Sequence, residues 1–460
     1  MTTSKMPQLA AAVALLALAG AASAAVAPQE AEQLKSTLTP MGAEKAGNKD
    51  GSIPAWTGGY NTATAEQKAG DRRVDPFAAD KPLFSITADN MDKYADKLSD
   101  GSKALLKKYK TFRIDVYPTR RTALAPQWYY DATLKNATKV KLVAAGMGID
   151  ADGNTAGVPF PIPKNGDEVR WNSDMRWRGE SVTARQKIWT VTPSGQQVLA
   201  SDINAHEQFP WNYGPGTGQR FDPAATPMRY YLQFVNGPAF RAGEGLLGHF
   251  PVDYAKESTQ AWTYLAGQRR VRRAPSVGFD TPDFVASGAS FFDEVMAPGG
   301  SPERYDWKLV GKQEVIVPYN NNKLLGVKDQ EAMGANHLKP EYVRWELHRA
   351  WVVEATRKNG QRHAVAKRRY YIDEDSWSNL LMDGWDDQGA LWRTTLQLGF
   401  AAPDIPAYVG GTCFDTFYNL QTGQYIYRCG MGDALPQYQA VKPRPATFYA
   451  PDALAGQGVR

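Results

Sequence analysis

Apolar and polar positions alternate most regularly between residues 341 and 399. In 343–353, Val343, Trp345, Leu347 and Trp351 fall on one face of an extended chain, while Arg344, Glu346, His348 and, just beyond, Glu354 fall on the other. That is the pattern of a strand with one apolar and one polar face. Lys358-Asn359-Gly360 supplies the Asn-Gly pair of a tight hairpin, and a second run of β-formers follows over 362–372. The acidic break Asp373-Glu374-Asp375 leads to Leu380-Leu381-Met382, and Asp387-Gln388-Gly389 turns the chain into 391–398. The expectation is a four-stranded antiparallel meander. The same signals predict strands over 184–192, 196–203, 228–236, 260–272 and 305–318, and a hairpin over 414–420 and 424–427.

Helical spacing is confined to the first third of the chain. Residues 89–108 place Met91, Tyr94, Leu98, Leu105 and Leu106 on one stripe, with Gly101 dividing the run, and a second helix is predicted over 126–144. Residues 25–80 are rich in Gly, Pro, Ala and Thr with little periodicity, and 146–167 read as loop. The fold expected is mainly β: a large curved antiparallel sheet of about eleven strands forming an open half-barrel, with helices and a long N-terminal arm as its lid. The organisation expected is a signal at 1–24, arm, helices and loops at 25–180, the open barrel at 181–440, and a tail at 441–460.

The first 24 positions read as a secretory signal: Lys5, an uncharged run over 9–22, and the small-x-small site Ala22-Ser23-Ala24. The run is too short to span a membrane, and no cysteine stands at the cleavage point to take a lipid anchor. The location expected is the periplasm, with no transmembrane segment in the mature chain. Cys413 and Cys429 are the two cysteines. They stand at nearly equal distances on either side of the turn Gln421-Thr422-Gly423, so they face each other, and in an oxidising compartment the expectation is a structural disulfide rather than a metal or redox pair.

A formal net charge of +5 on 460 residues is too mild to indicate a nucleic-acid partner. Arg269, Arg270, Arg272 and Arg273 form the densest basic cluster. It reads as a solvated sheet face or, through Arg270 and Arg272, as a contact for an anionic headgroup.

Reactive motifs are missing. The five histidines are scattered without metal-ligand spacing, and His206-Glu207 lacks the second histidine of a zinc-protease helix because Pro210 stands in its place. No metal or cofactor is expected. Asp150, Asp152 and Asn154 start like a calcium loop but lack its glycine and glutamate, so they read as a turn. Asp373, Glu374, Asp375, Asp386 and Asp387 could pair as glycosidase carboxylates, yet carboxylates at hairpin ends are ordinary turn residues. The aromatic residues are more telling. Trp189, Tyr230, Phe234, Trp262, Tyr264, Trp307, Trp345, Trp351 and Trp392 all fall in predicted strands. With Leu347 they are the expected lining of a barrel interior wide enough for an apolar ligand.

Eight blocks of sequence together resemble a secreted family, domain of unknown function 1329: LTPMGAEKAGN at 38–48, IPAWTGG at 53–59, YPTRRT at 117–122, PFPIP at 159–163, GQRRVRRAP at 267–275, YDWKLVGK at 305–312, WELHRAWVV at 345–353 and YIDEDSW at 371–377. The resemblance implies a fold similar to the periplasmic carriers LolA and LolB, an open barrel with a helical lid over a hydrophobic cavity. It also implies an envelope system whose partners are an outer-membrane protein and a resistance-nodulation-division-type exporter. It carries no catalytic residues. The leading expectation is therefore a non-enzymatic carrier of a lipid or other hydrophobic molecule. A secreted hydrolase using the acidic turns and a structural subunit of an envelope complex are the alternatives.

Overall fold

The computed structural model describes residues 25–61, 72–151, 153, 156–274 and 277–457. The expected signal at 1–24 lies outside them, as do Asp152 and Asn154. The strands are β1 Phe84–Ile86, β2 Ile114–Val116, β3 Lys141–Val143, β4 Gly148–Asp150, β5 Ser181–Val191, β6 Gln197–Gln208, β7 Arg229–Gly237, β8 Gly245–Phe250, β9 Gln260–Leu265 and β10 Arg270–Arg273. They continue with β11 Tyr305–Pro318, β12 Trp345–Arg357, β13 Lys367–Asp373, β14 Asn379–Trp385, β15 Leu391–Gln397, β16 Phe400–Ala402, β17 Ala407–Val409, β18 Asp415–Asn419, β19 Tyr425–Gly430 and β20 Gln439–Ala440.

One large curved sheet holds all but β3, β4, β16 and β17. From β11 it runs through β12, β13, β14, β15, β18, β19, β5, β6, β7, β8 and β9 to β10, each neighbouring pair antiparallel. It does not close into a barrel. A single parallel bridge between Trp345 and Val116 attaches the short β1–β2 pair, so the sheet is mixed at that one point.

The meander and the 305–318 strand form where the alternation places them. Two differences have local causes. The run 260–272 is a hairpin, not one strand, because the chain reverses through Ala266 to Arg269, where Arg269 takes a positive φ of 50°. Strand β8 carries Gly245 and Gly248, which weaken the β signal that sequence patterning relies on.

Asp100–Lys108 and Gly166–Asp174 pack on the half of the sheet that begins at β11, while the C-terminal helix Pro451–Gln457 packs on β8–β10. Asp100–Lys108 buries Leu105 and Leu106 and is capped by Ser99, whose side chain accepts from the Ser102 amide. Gly101 is required there by close approach: a Cβ would stand 2.1 Å from Thr394 Oγ1 and 2.2 Å from Asp383 Oδ1. Gln127–Ala137 is shorter than the 126–144 expected, because the chain turns into β3. Gly166–Asp174 begins at the end of the expected loop and runs on through a stretch with no element expected; Asn165 caps it, accepting from the Glu168 amide, and its polar residues are buried, so no amphipathic stripe marks it in the sequence.

Candidate functional site

Side chains alternate across a strand, so each strand of β7–β9 offers one set of residues to each face of the sheet. On one face Arg229, Tyr231 and Gln233 of β7 stand opposite Phe250, Gly248 and Leu246 of β8, and Gly248 in turn stands opposite Ala261 of β9. Residues 277–304 cross over this face. Between cover and sheet lies a cavity of about 460 Å³. Its apolar lining includes Ile188, Leu246, Val285, Phe292, Val295 and Met296, and the Cys413–Cys429 disulfide forms part of the wall. Gly248 and Ala261 leave the middle of the floor without bulk. The cover itself has two short 3-10 turns, Phe284–Ala286 and Phe292–Glu294.

What holds the cover is ionic. Arg368 of β13 binds Asp293 through both terminal nitrogens at 2.6 and 2.9 Å, and His363 adds a third bond to the same carboxylate at 2.8 Å. Arg393 of β15 holds Glu294 at 2.5 and 2.8 Å. Arg428 of β19 binds Asp415 at 2.8 and 2.9 Å and donates to the Glu294 carbonyl at 2.9 Å. Burial alone would raise the Asp293 carboxyl, yet the Arg368 charge and the His363 hydrogen bond hold it well below the usual carboxylate range. Asp283, at the cavity wall, shows the opposite balance: burial pushes it up to about 6.

A second constellation lies at the far end of the sheet. The acidic turn 373–375 and the polar residues of β12 meet the N-terminal arm there. Arg121 forks onto Asp375 at 2.7 and 2.8 Å and donates to the Glu44 carbonyl at 2.7 Å. Arg349 and Lys312 bind Glu374 at 2.5 and 2.9 Å. Glu346, fully buried, takes His348 at 2.9 Å, Arg344 at 2.5 Å and the Arg120 amide at 2.8 Å. Asp373 Oδ2 accepts from Tyr319 and Ser376, while its Oδ1 has no partner. Burial and the Asp375 charge push Asp373 up to about 6.

His348, Asp373 and Asp375 therefore bring ligand-type atoms within 4.8 Å of one another, a grouping the sequence spacing does not reveal. Both oxygens of Asp375 are already taken by Arg121. The arrangement is an ion-pair clamp that fastens the arm to the sheet. Four of the eight blocks of sequence, at 38–48, 117–122, 345–353 and 371–377, converge in it. Their convergence agrees with the comparison of the whole chain, in which the family described as protein of unknown function, DUF1329, matches residues 85–455. The chain belongs to the DUF1329 family.

An uncharacterized protein of Pseudomonas aeruginosa is 40% identical to this DUF1329 chain over 457 residues, covering 97% of each. Among solved structures, one described as an outer membrane lipoprotein-sorting protein domain, from Vibrio parahaemolyticus, is 13% identical with a TM-score of 0.39, covering 62% of this chain and 95% of its own. A DUF1329 family protein from Desulfovibrio piger is 14% identical with a TM-score of 0.38, covering 60% of this chain and 92% of its own. A LolA superfamily protein from Nitrosomonas europaea is 10% identical with a TM-score of 0.34, covering 63% and 100%.

The ten residues expected to line a cavity lie elsewhere in this DUF1329 structure. Tyr230, Phe234, Trp262 and Tyr264 point to the opposite face of β7–β9, where Tyr449, stacked on Tyr230 at 4.8 Å, and Leu454 of the C-terminal segment cover them. Trp189 donates to Asp329 Oδ2 at 3.2 Å. Trp307 stacks on Tyr370, Trp351 stacks on Trp377 beneath Lys312, and Leu347 is in the main core. Trp345 borders a crevice of about 10 Å³, too small for a ligand. Trp392 meets Phe291 of the cover at 6.1 Å. Arg270 and Arg272 are exposed on β10, on the cavity side of the sheet but outside the lining. Among the described residues, no helix is long and apolar enough to cross a membrane.

Proposed function

We propose that this protein is a periplasmic carrier or binding protein for a lipid or another hydrophobic molecule, held between strands β7–β9 and the 277–304 cover, within an envelope transport system. The observation that supports the reading is the cavity itself. Its volume of about 460 Å³ is that of a site for one small organic molecule, apolar in most of its lining and roofed by a segment separate from its floor. Each methylene buried there stabilises the complex by about 0.8 kcal/mol, so a medium-length chain accounts for strong retention before ordering costs are subtracted.

A hydrolase working at the acidic turn has less support. Asp373, Glu374 and Asp375 are all buried; Arg121, Arg349 and Lys312 pair with Glu374 and Asp375, and the Glu44 amide of the arm donates to Glu374 at 3.3 Å, which leaves a substrate no approach. Asp386 and Asp387 behave as turn residues: Asp386 accepts from the Gln388 and Ala390 amides, and Asp387 pairs with Arg357.

The test is native mass spectrometry on protein purified without detergent, followed by organic extraction. The wild type should carry one apolar molecule, and Ala261→Phe, which fills the floor of the cavity, should lose it while remaining folded. A wild type that carries nothing and takes up no decanol or decanoate would sink the reading.

A further inference from the structure

Among the described residues seven arginines border the cavity or its cover, and six are matched to carboxylates, Arg241 to Glu244 and Arg170 to Asp174 among them. Arg368 has Asp293, Arg393 has Glu294, Arg428 has Asp415, and Arg304 has Asp280 at 2.9 Å. Arg229 is the exception. It is 5% exposed, lies in the cavity wall, and has no carboxylate within ion-pairing distance among the described residues. Its guanidinium rests 3.8 Å from the centroid of the Phe250 ring, its directly opposite neighbour on β8. One terminal nitrogen donates to Met296 Sδ at 3.2 Å, and Nε has no acceptor.

A guanidinium cannot shed its proton at any ordinary pH, so burial does not neutralise it. A ring face and a thioether satisfy the cation weakly and leave its planar N–H fork unmatched, although that fork is the group that best recognises a carboxylate or phosphate. A desolvated charge with no counter-charge is costly in a stable fold. Here it stands at the wall of a mainly apolar cavity. The alternation of β7 aims it inward beside Tyr231 and Gln233.

We infer that the ligand is an apolar molecule bearing one anionic group, and that Arg229 is its counter-ion, with the apolar body lying over Leu246, Gly248 and Ala261. This rests on the cavity being the ligand site. The anion is a carboxylate or a phosphate, and the two are separated by the probes used.

The experiment is calorimetric titration of the purified protein with decanoate, decyl phosphate and 1-decanol, which share an apolar body and differ in the head. The wild type should bind at least one of the two anions at least tenfold more tightly than decanol, and whichever is tighter names the head. Arg229→Gln should weaken that anion at least tenfold and leave decanol within twofold, Arg229→Lys should recover part of the loss, and the double variant Arg270→Gln, Arg272→Gln should change nothing.

Equal binding of anions and decanol by the wild type overturns the inference while leaving the cavity reading intact, and needs no variant. Loss of anion binding in the Arg270, Arg272 double variant, with Arg229→Gln unchanged, overturns it by moving the head to the sheet edge. Failure of all three probes to bind the wild type removes the cavity reading and the inference together.

Discussion

Asp283 accepts from the Val285 amide at 2.9 Å and is 2% exposed at the cavity wall, with no arginine bonded to it. Burial is the main cause of its rise from 3.8 to about 6. Because the folded value lies above the unfolded one, the folded state keeps this proton through that window while the unfolded state has lost it. The stability that neutral Asp283 contributes is thus present below the window and lost as pH rises through about 6. Asp283→Asn keeps the acceptor and removes the titration. Its melting temperature should exceed that of the wild type at pH 7.5, by the equivalent of roughly 2–3 kcal/mol, with the gain shrinking towards zero near pH 4. A gain that is the same at every pH would assign the effect to packing. At this scale the sequence told least. The large aromatic residues of β7 and β9 drew the eye to the even-numbered face, but the cavity belongs to their odd-numbered neighbours Arg229, Tyr231 and Ala261. One residue of parity separates the two faces, and nothing in the pattern of 228–236 says that a C-terminal segment two hundred residues later will seal one of them.

Strands were legible and their surroundings were not. The alternation in 343–353 does mark a strand, and Val343, Trp345 and Leu347 are apolar core, but Arg344, Glu346 and His348 on the polar side are buried as well. A polar face reads as a solvent face unless something else supplies its partners. Here the 117–122 segment and the arm do: the Arg120 amide donates to Glu346, and Arg344 binds the Pro118 carbonyl and Asp80 of the arm. Removing one partner of such a buried pair strands the other charge, which typically costs 3–5 kcal/mol. Arg121→Met should therefore lower stability by roughly that amount and expose the arm between residues 38 and 60 to limited proteolysis before the sheet unfolds. A variant that resists protease like the wild type would show that the arm is held without this ion pair, by the apolar contacts of Met41 and Ile53 and the hydrogen bond that the Trp377 indole donates to the Met41 carbonyl.

Across the whole molecule, the Cys413–Cys429 bridge is the one covalent tie between distant positions, with Cα atoms 5.6 Å apart. The sequence foretold it from the near symmetry of the two cysteines about their turn. It closes a loop whose entropy in the unfolded chain corresponds to roughly 3 kcal/mol. A Cys413→Ala, Cys429→Ala double variant should lose about that much in urea unfolding; an unchanged midpoint would mean that native strain offsets the entropy. The cover was the part least visible in advance, because 277–304 has neither period and is fastened by Asp293 and Glu294 to arginines on three separate strands.

Finally, a sheet that never closes leaves an outermost strand, and among the described residues β10 has no strand beyond it. Its backbone could template another chain, yet Arg270, Arg272 and Arg273 all stand exposed along its four residues. Two copies meeting edge to edge would set arginine against arginine. The rim thus protects a half-open architecture from growing into a fibre, as a line of like charge keeps colloidal particles apart.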